Sequence, residues 1–243
     1  MEIICKNCHQ SFKGHYCNNC GQPAETHKIN IHFLWHDIQH GLLHFDKGIL
    51  YSLKQLFTRP GHSIRDFIEG KRVRHFKPLS LVVVLATLYG VLYHYLNINV
   101  FPDSDNPYLD HHKLNEWMST HFSWITIGSI PIYTIGTSIA FRKQGYNFVE
   151  YFVLNTFKAS QRLFVQILSL PILVYFNGTS NIHKISYITY FIGIILIYWT
   201  NVQFFDRISR KKAFLLTILS HIIFLICFFI LFILILLIMG KLS

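Results

Sequence analysis

Four cysteines near the start of the chain have the residue type and spacing of a metal site. Cys5 and Cys8 form one Cys-x-x-Cys pair, Cys17 and Cys20 form a second, and eight residues separate the pairs. Two thiolates two residues apart can hold one ion from a tight turn, and two such turns complete a tetrahedron. The spacing predicts a structural Zn²⁺ site. A redox dithiol and an iron–sulfur site are the alternatives.

This segment needs the metal in order to fold. Eight residues between the pairs allow little more than a short hairpin, which cannot bury a core. Structural zinc contributes on the order of 10 kcal/mol to the folding of such modules. We therefore expect residues 1–28 to form a zinc ribbon. Cys227, the fifth cysteine, lies in an apolar run, where a lone thiol behaves as a small hydrophobic side chain.

Two cations lie in a segment that is otherwise suited to a membrane. Lys158 and Arg162 are one helical turn apart, with Glu150 on the same segment. An ionisable group inside a membrane indicates a functional site, and these two cations would bind an anionic substrate. The alternative is that both cations extend to a nearby membrane surface. Pro131 and Pro171 would open the backbone hydrogen-bond ladder and help to form a cavity.

A second group of cations precedes the first strongly apolar segment. Lys71, Arg72, Arg74 and Lys77 lie within seven residues. Such a cluster attracts anionic lipid head groups by about 1 kcal/mol per cation, so it is a candidate lipid-binding or partner-binding surface. The alternative is that these charges only fix the orientation of the protein in the membrane.

An amphipathic helix is predicted between the ribbon and these cations. Apolar residues recur at three- and four-residue steps over residues 31–57, a pattern that favours a helix at the membrane interface. Its opposite face carries four histidines at four-residue spacing: His32, His36, His40 and His44. They suit a second metal site or a pH sensor, and the alternative is a plain solvated face.

Catalytic motifs are missing from the sequence. It contains no Gly-rich phosphate loop, no H-E-x-x-H and no paired acidic motif, so we expect no enzyme activity. A polar cluster around residues 103–112 could bind Ca²⁺ or Zn²⁺, although its two prolines favour an irregular connector. Its members are Asp103, Asp105, Asp110, His111 and His112.

The composition excludes a single soluble domain. Hydrophobic residues make up 51% of the chain, charged residues 14%, and the mean hydropathy is +0.34, which indicates an integral membrane protein. Because a span needs about 20 apolar residues, we predict five of them. The third is ambiguous, since its first half is polar. The spans are residues 79–96, 122–141, 148–176, 185–205 and 213–239.

The loop charges set the orientation. Eleven Lys and Arg residues precede the first span and four lie in residues 206–212, whereas residues 97–121 contain one. By the positive-inside rule, this alternation predicts five crossings with the N-terminus in the cytoplasm. The net charge of +10 follows this topology, so we expect no nucleic-acid partner. In that reducing compartment, cysteines bind zinc rather than form disulfides.

The N-terminal third of the chain resembles a known family. Two runs carry the resemblance: CKNCHQSFKGHYCNNCGQ and FDKGILYSLKQLFTRPGHSIRDFIEGKRVRHFKPLSLVVVL. They are similar to a bacterial family of uncharacterised membrane proteins that share an N-terminal zinc ribbon and a domain of unknown function. The resemblance covers about residues 5–90. It implies Cys5, Cys8, Cys17 and Cys20 as metal ligands, and it includes the motif positions Pro60, Gly61, Gly70, Lys71, Arg72 and Pro78.

A looser, purely architectural similarity is to the Yip-type five-span membrane proteins. It implies a non-enzymatic membrane organiser or trafficking partner. Neither family supplies a catalytic residue.

These observations predict an all-α polytopic protein of the bacterial inner membrane. Its parts are the ribbon over residues 1–28, interfacial helices and a basic segment over 29–78, and a five-helix transmembrane domain over 79–243. The predicted function is a scaffold or assembly subunit that contacts lipid and binds a protein partner through its cytoplasmic N-terminal region. The sequence leaves open whether the protein forms an oligomer. The alternative is a permease or lipid transporter that uses Lys158 and Arg162.

Overall fold

The chain is mostly helical where its structure is described. A computed structural model describes residues 2–26, 29–31, 48–100 and 111–238. Within them, strands β1 (Ile3–Ile4) and β2 (Ser11–Phe12) precede all the helices, and a 3₁₀ turn spans Arg142–Gln144. The α-helices are α1 (Gly48–Thr58), α2 (Pro60–Glu69), α3 (Pro78–Tyr95), α4 (His111–Ala140), α5 (Phe148–Tyr175), α6 (Asn181–Phe204) and α7 (Arg210–Ile238).

The N-terminal module is a short antiparallel hairpin. Ile3 pairs with Phe12 and Ile4 with Ser11. Only Phe12 and the cysteines Cys5 and Cys17 form its buried centre, so the module has almost no hydrophobic core of its own. This agrees with the prediction that a metal supplies its stability.

Helices α3 to α7 overlap the five segments predicted as spans, although α4 begins at His111 and the second predicted span at residue 122. Three of them are long and apolar enough to cross a membrane: Pro78–Tyr95, Asn181–Phe204 and Arg210–Leu234. The chain is therefore a membrane protein with three candidate spans among the described residues. Helices α4 and α5 are longer than α3 but carry more polar residues, and each continues without a break through its proline, Pro131 or Pro171.

The break between α1 and α2 is shorter than the sequence suggests. We predict a second helix from about Ser63, with Ser63 as its cap, but α2 begins at Pro60. Proline suits the first helical position, because its missing N–H would have no partner there and its φ is already helical. Ser63 instead lies buried inside α2 and bonds to His75. Gly70 ends the helix with a φ of +111°.

Helix α5 is the most buried helix of the bundle. It contacts α3, α4 and α6, and its side chains Val153, Leu154 and Phe157 are almost fully buried. Helices α6 and α7 instead direct large apolar side chains outward, for example Phe191 and Phe229. Such extensive exposed apolar surface is typical of a face that meets lipid or a partner.

Two glycines allow close contact between helices. A Cβ at Gly61 would lie 2.2 Å from the backbone nitrogen of Phe204, so α2 rests directly on the end of α6. A Cβ at Gly136 would lie 2.5 Å from the carbonyl oxygen of Ser220, which places α4 against α7. Small residues commonly permit such approach between membrane helices.

Candidate functional site

The two cysteine turns have the same backbone structure. The N–H of Cys5 donates to the carbonyl of Gln10 at 3.0 Å, and the N–H of Cys17 donates to that of Gln22 at 2.8 Å. The residue after the second cysteine of each turn has a positive φ. It is His9 at 62° in the first turn and Gly21 at 73° in the second. Each Cys-x-x-Cys pair is thereby closed into a tight loop that faces the other.

The four sulfurs are close enough to share one ion. All four Sγ atoms lie within 4.8 Å of one another. The Cys5–Cys20 and Cys8–Cys17 sulfur pairs are each 3.5 Å apart. A tetrahedron with Zn–S bonds of about 2.3 Å has sulfurs about 3.8 Å apart, whereas a disulfide needs about 2.05 Å. All four cysteines are free, and this donor set fits a metal ion such as zinc.

The surroundings of two of these thiols favour the ligating form. The backbone N–H of Gln10 lowers the pKa of the Cys8 thiol to about 6, and a hydrogen bond from the Asn7 side chain lowers the pKa of Cys20. Burial raises the pKa of Cys5 to about 11. Because thiolates are the ligands, metal binding would release protons, and Cys5 is one of the thiols that would lose a proton.

One buried side chain fastens the ribbon to the end of α2. Gln22 is 1% exposed. Its amide nitrogen donates to the carbonyl of Gly70 at 2.5 Å and to the Thr26 hydroxyl at 2.8 Å. Its oxygen accepts the N–H of Arg72 at 3.4 Å. A Cβ at Gly70 would lie 3.1 Å from side-chain atoms of Lys6 and Thr26, so the two parts are closely packed.

The four predicted head-group cations have different environments. Lys71 forms an ion pair with Asp66 at 2.7 Å, and Arg72 lies over the Phe67 ring at 5.3 Å. Arg74 is exposed, and Lys77 is the residue before α3. The cluster is thus partly engaged by α2 and partly open to solvent.

The ribbon, α1, α2 and the basic segment together enclose a polar cleft of about 290 Å³. Burial favours the neutral carboxyl of Asp66, but Lys71 and Arg59 outweigh it and hold the pKa of Asp66 below its usual value. The cleft carries three permanent cations and one carboxylate. Its lining residues are Asn7, His9, Tyr51, Arg59, Asp66, Lys71, Arg74 and His75.

Lys158 and Arg162 lie inside the helix bundle. Lys158 is 2% exposed, and its Nζ donates to the Asn201 side-chain oxygen at 3.2 Å. That Nζ lies 5.4 Å from the Tyr133 ring centre, and the Arg162 guanidinium lies 6.0 Å from the same ring. The Nε of Arg162 is buried without a hydrogen-bond partner in the described structure. Extension to the membrane surface therefore does not describe Lys158, because the side chain points into the bundle.

Glu150 does not join this pair. Its carboxylate accepts the backbone N–H of Asn147 at 2.8 Å, while the Asn147 side chain accepts the N–H of Glu150 at 2.9 Å. This capping box begins α5. Glu150 is about 12 Å along the helix from Lys158. Ion pairs in the described part of the chain involve Asp66 and Asp206 but neither Lys158 nor Arg162.

The partners of the two cations come from α4 and α6, and residues of α7 contact these partners in turn. Asn201 also donates to the Thr217 hydroxyl at 3.0 Å. His221, to which the sequence assigns no role, contacts the hydroxyls of Tyr133 and Tyr190, each at 3.2 Å. Sequence reasoning missed Tyr133, Asn201 and Tyr190, because none of them belongs to a recognisable motif. Their one shared signal is polarity at a position where lipid would favour an apolar residue.

A larger cavity of about 390 Å³ lies between α3, α4, α5 and α6. Gln166, one helical turn beyond Arg162, is part of its lining. The histidines His32, His36, His40 and His44 and the acidic residues Asp103, Asp105 and Asp110 lie outside the described residues, so these two predicted clusters stay predictions.

Comparison with known families gives one match, over part of the chain. Residues 46–90 are similar to a family described as a protein of unknown function (DUF3667). This stretch contains α1, α2, the basic segment and most of α3, together with Pro60, Gly61, Gly70 and the cations at Lys71 and Arg72, but not the cysteines. No curated protein and no solved structure matches the chain.

Proposed function

We propose that the protein is a non-enzymatic subunit of the bacterial inner membrane, with five spans and its ribbon in the cytoplasm. Helices α4 and α5 contain 30 and 28 residues, which correspond to about 45 and 42 Å. Both exceed the hydrocarbon thickness of about 30 Å. Five crossings also agree with the alternation of positive charge between loops.

The ribbon holds zinc in this proposal. Four cysteine ligands and no carboxylate are a soft donor set that favours zinc or an iron–sulfur cluster over magnesium or calcium. Sulfurs 3.5 Å apart suit one central ion. Because four protein ligands fill a tetrahedral zinc shell, no position is left for a substrate, and the metal acts structurally.

One observation carries the scaffold function. The ribbon is joined to α2 through Gln22, and α2 is joined to the bundle at Gly61, whose N–H donates to the Gln203 side chain at 3.2 Å. Arg65 pairs with Asp206 just beyond α6. The proposed cytoplasmic parts are therefore joined into one continuous surface on the bundle, which suits docking of a protein partner.

Site-specific photo-crosslinking tests the docking proposal. A photoreactive residue at exposed Arg74, beside the polar cleft, should capture one protein companion in cells. The same residue at Tyr187, which is 71% exposed near the start of α6, is the control and should not capture that companion. Capture at both positions, or at neither, would contradict docking through this surface.

Accessibility labelling tests the topology. A single cysteine introduced at exposed Lys6 should be protected from an impermeant thiol reagent in intact cells. A cysteine introduced at Tyr187 should react with the reagent, because five crossings place the start of α6 outside. The same topology places the C-terminal end of the chain outside. Labelling that puts both ends of the chain on the same side would exclude an odd number of spans.

A second candidate function is a permease for an anionic substrate. The observation that favours it is that Lys158 is buried in the bundle and Arg162 is half-buried with its Nε enclosed, while no carboxylate among the described residues forms an ion pair with either one. Lys158→Ala and Arg162→Ala should abolish transport but leave a scaffold intact. Preserved cellular function in both variants would refute the permease.

A further inference from the structure

The cavity between α3 and α6 has the size and lining of a small-molecule site. Its volume of about 390 Å³ falls within the range of about 300–1,000 Å³ that is usual for ligand pockets. Aromatic and aliphatic side chains form most of its wall, with hydroxyl and amide groups between them. Among the lining residues are Tyr89, Phe122, Gln166, Ser169, Ser186 and Tyr190.

One face of α5 connects this cavity to the two buried cations. Lys158, Arg162 and Gln166 follow one another at four-residue steps, so they lie on one face of the helix, about 6 Å apart along its axis. Gln166 lines the large cavity. Lys158 and Arg162 line a separate void of about 10 Å³, roughly the space of one water molecule.

Two tyrosines and a histidine form a second connection. Tyr190 lines the large cavity, and its hydroxyl contacts His221 at 3.2 Å. The other ring nitrogen of His221 contacts the hydroxyl of Tyr133. The ring of Tyr133 in turn faces the Arg162 guanidinium at 6.0 Å. A chain of contacts therefore joins the cavity to Arg162: hydrogen bonds from Tyr190 through His221 to Tyr133, and a cation–π contact as the last step.

Arg162 provides the reason to expect an anion. A guanidinium keeps its charge at any pH relevant to a cell, and a buried charge is costly unless it is paired and hydrogen-bonded. Its Nε is buried without a hydrogen-bond partner in the described part of the chain. The ion pairs in that part all involve Asp66 or Asp206, and none of them includes Arg162. A ligand can supply the negative charge.

We propose that this cavity binds an amphiphilic anion. Its negatively charged head lies beside Gln166, one helical turn from the charge of Arg162, and its apolar body lies among Tyr89, Phe122 and the neighbouring aromatic side chains. The inference rests on the second candidate function and names its substrate class. Two sources share this chemistry: a fatty-acid carboxylate and a lipid phosphate.

Native mass spectrometry of the full chain in mild detergent tests the site with three probes. Oleate and lysophosphatidylglycerol are the anionic probes, and monoolein is the neutral one. At least one anionic probe should bind as a single copy, about tenfold more tightly than monoolein, because a hydrogen bond to a charged group is stronger than one to a neutral group. The anion that binds identifies the source. Equal binding of monoolein would overturn the proposal.

Matched variants locate the binding. Arg162→Gln should weaken binding of the anionic probe by about tenfold. Arg142→Gln, which removes an exposed cation, should leave that binding unchanged. Ser169→Phe fills the cavity and should abolish binding, whereas Leu168→Phe, on the exposed face of the same helix, should not. Unchanged binding in either Arg162→Gln or Ser169→Phe overturns the site. Because the two variants alter different elements of the site, a folding defect in one leaves the other as a test.

Reconstituted vesicles separate this inference from the permease function. If the wild-type protein binds the probe at Arg162 but does not move it across the bilayer, the site stands and the permease is refuted. If it moves the probe equally well in Ser169→Phe, the permease stands and this site is refuted.

Discussion

The side-chain amide of Gln22 donates a 2.5 Å hydrogen bond to the backbone carbonyl of Gly70, 48 residues later. Gln22 closes the second cysteine turn, and Gly70 ends α2 with a positive φ. The equivalent residue of the first turn, Gln10, uses the same backbone hydrogen bond, but its side chain is exposed. The two turns thus have different roles, since the Gln22 side chain of the second turn is bonded to the end of α2, whereas the Gln10 side chain of the first turn is exposed.

Replacing Gln22 with alanine should loosen the ribbon from α2 without releasing its metal. The change leaves the buried Gly70 carbonyl without its partner, at a cost of about 1–3 kcal/mol. Hydrogen exchange at the amides of Lys71 and Arg72 should become faster, and the metal content should not change. Gln10→Ala is the matched control and should exchange like the wild type. Metal loss in Gln22→Ala would show that the residue supports the ribbon itself.

Metal analysis should give one zinc per chain, lost on substitution of a ligand. Cys17→Ser removes one of four thiolates, and because the module has almost no core, its residues should lose protection from exchange along with the metal. Cys227→Ser changes a cysteine far from the cluster and should keep the full zinc content. Iron in place of zinc, or a metal-free wild-type protein, would contradict the structural zinc site.

The parts that sequence predicts best are those that depend on nearby residues. Cys5, Cys8, Cys17 and Cys20 lie in two short turns, so their spacing alone indicates that they meet. The five long helices follow from apolar runs in the same way. The start of α2 is missed because Pro60 fits the first helical turn as well as it fits a break, and only packing on α6 shows which one occurs.

Contacts between distant segments are the parts that sequence could not predict. The pairing of Lys158 with Asn201 joins residues 43 positions apart, and the Tyr133–His221 contact joins residues 88 apart. Neither pair has a local pattern. The burial of Lys158 depends on which face of α5 turns inward, and that is set by its packing against α3, α4 and α6 together.

The Pro60–Gly61 step should not tolerate a side chain at its glycine. In Gly61→Ala the new Cβ would lie 2.2 Å from the backbone nitrogen of Phe204, so α2 must move away from α6. We expect a loss of about 1–3 kcal/mol, as for other overpacked sites, measured by thermal unfolding in detergent. Gly128→Ala is the control, because a Cβ there meets no atom within 4 Å and alanine favours a helix by about 1 kcal/mol. Equal stability of the two variants would contradict this packing.

His75 should make the region around α2 less stable at mildly acidic pH. Its ring lies between Tyr51 and Phe67, with centroid distances of 5.3 and 5.8 Å, and its Nε2 is 2.9 Å from the Ser63 hydroxyl. Burial lowers the pKa of His75 below its ordinary value of 6.5, against an opposing effect of the Asp66 charge. Below about pH 6.5 the unfolded chain therefore binds more protons than the folded one, so the stability decreases as the pH is lowered.

The carboxylate of Asp66 acts in a different pH range. Its pKa is held below the usual value, so its contribution to stability is present above about pH 3.9 and is lost only at lower pH. Between about pH 7.5 and 5.5 the effect of His75 can therefore be measured separately. Hydrogen exchange of α2 should quicken over this range in the wild type and change less in His75→Gln, whose amide can still reach Ser63. His62→Gln, at an exposed position, should keep the wild-type response, and an unchanged response in His75→Gln would rule out His75 as its source.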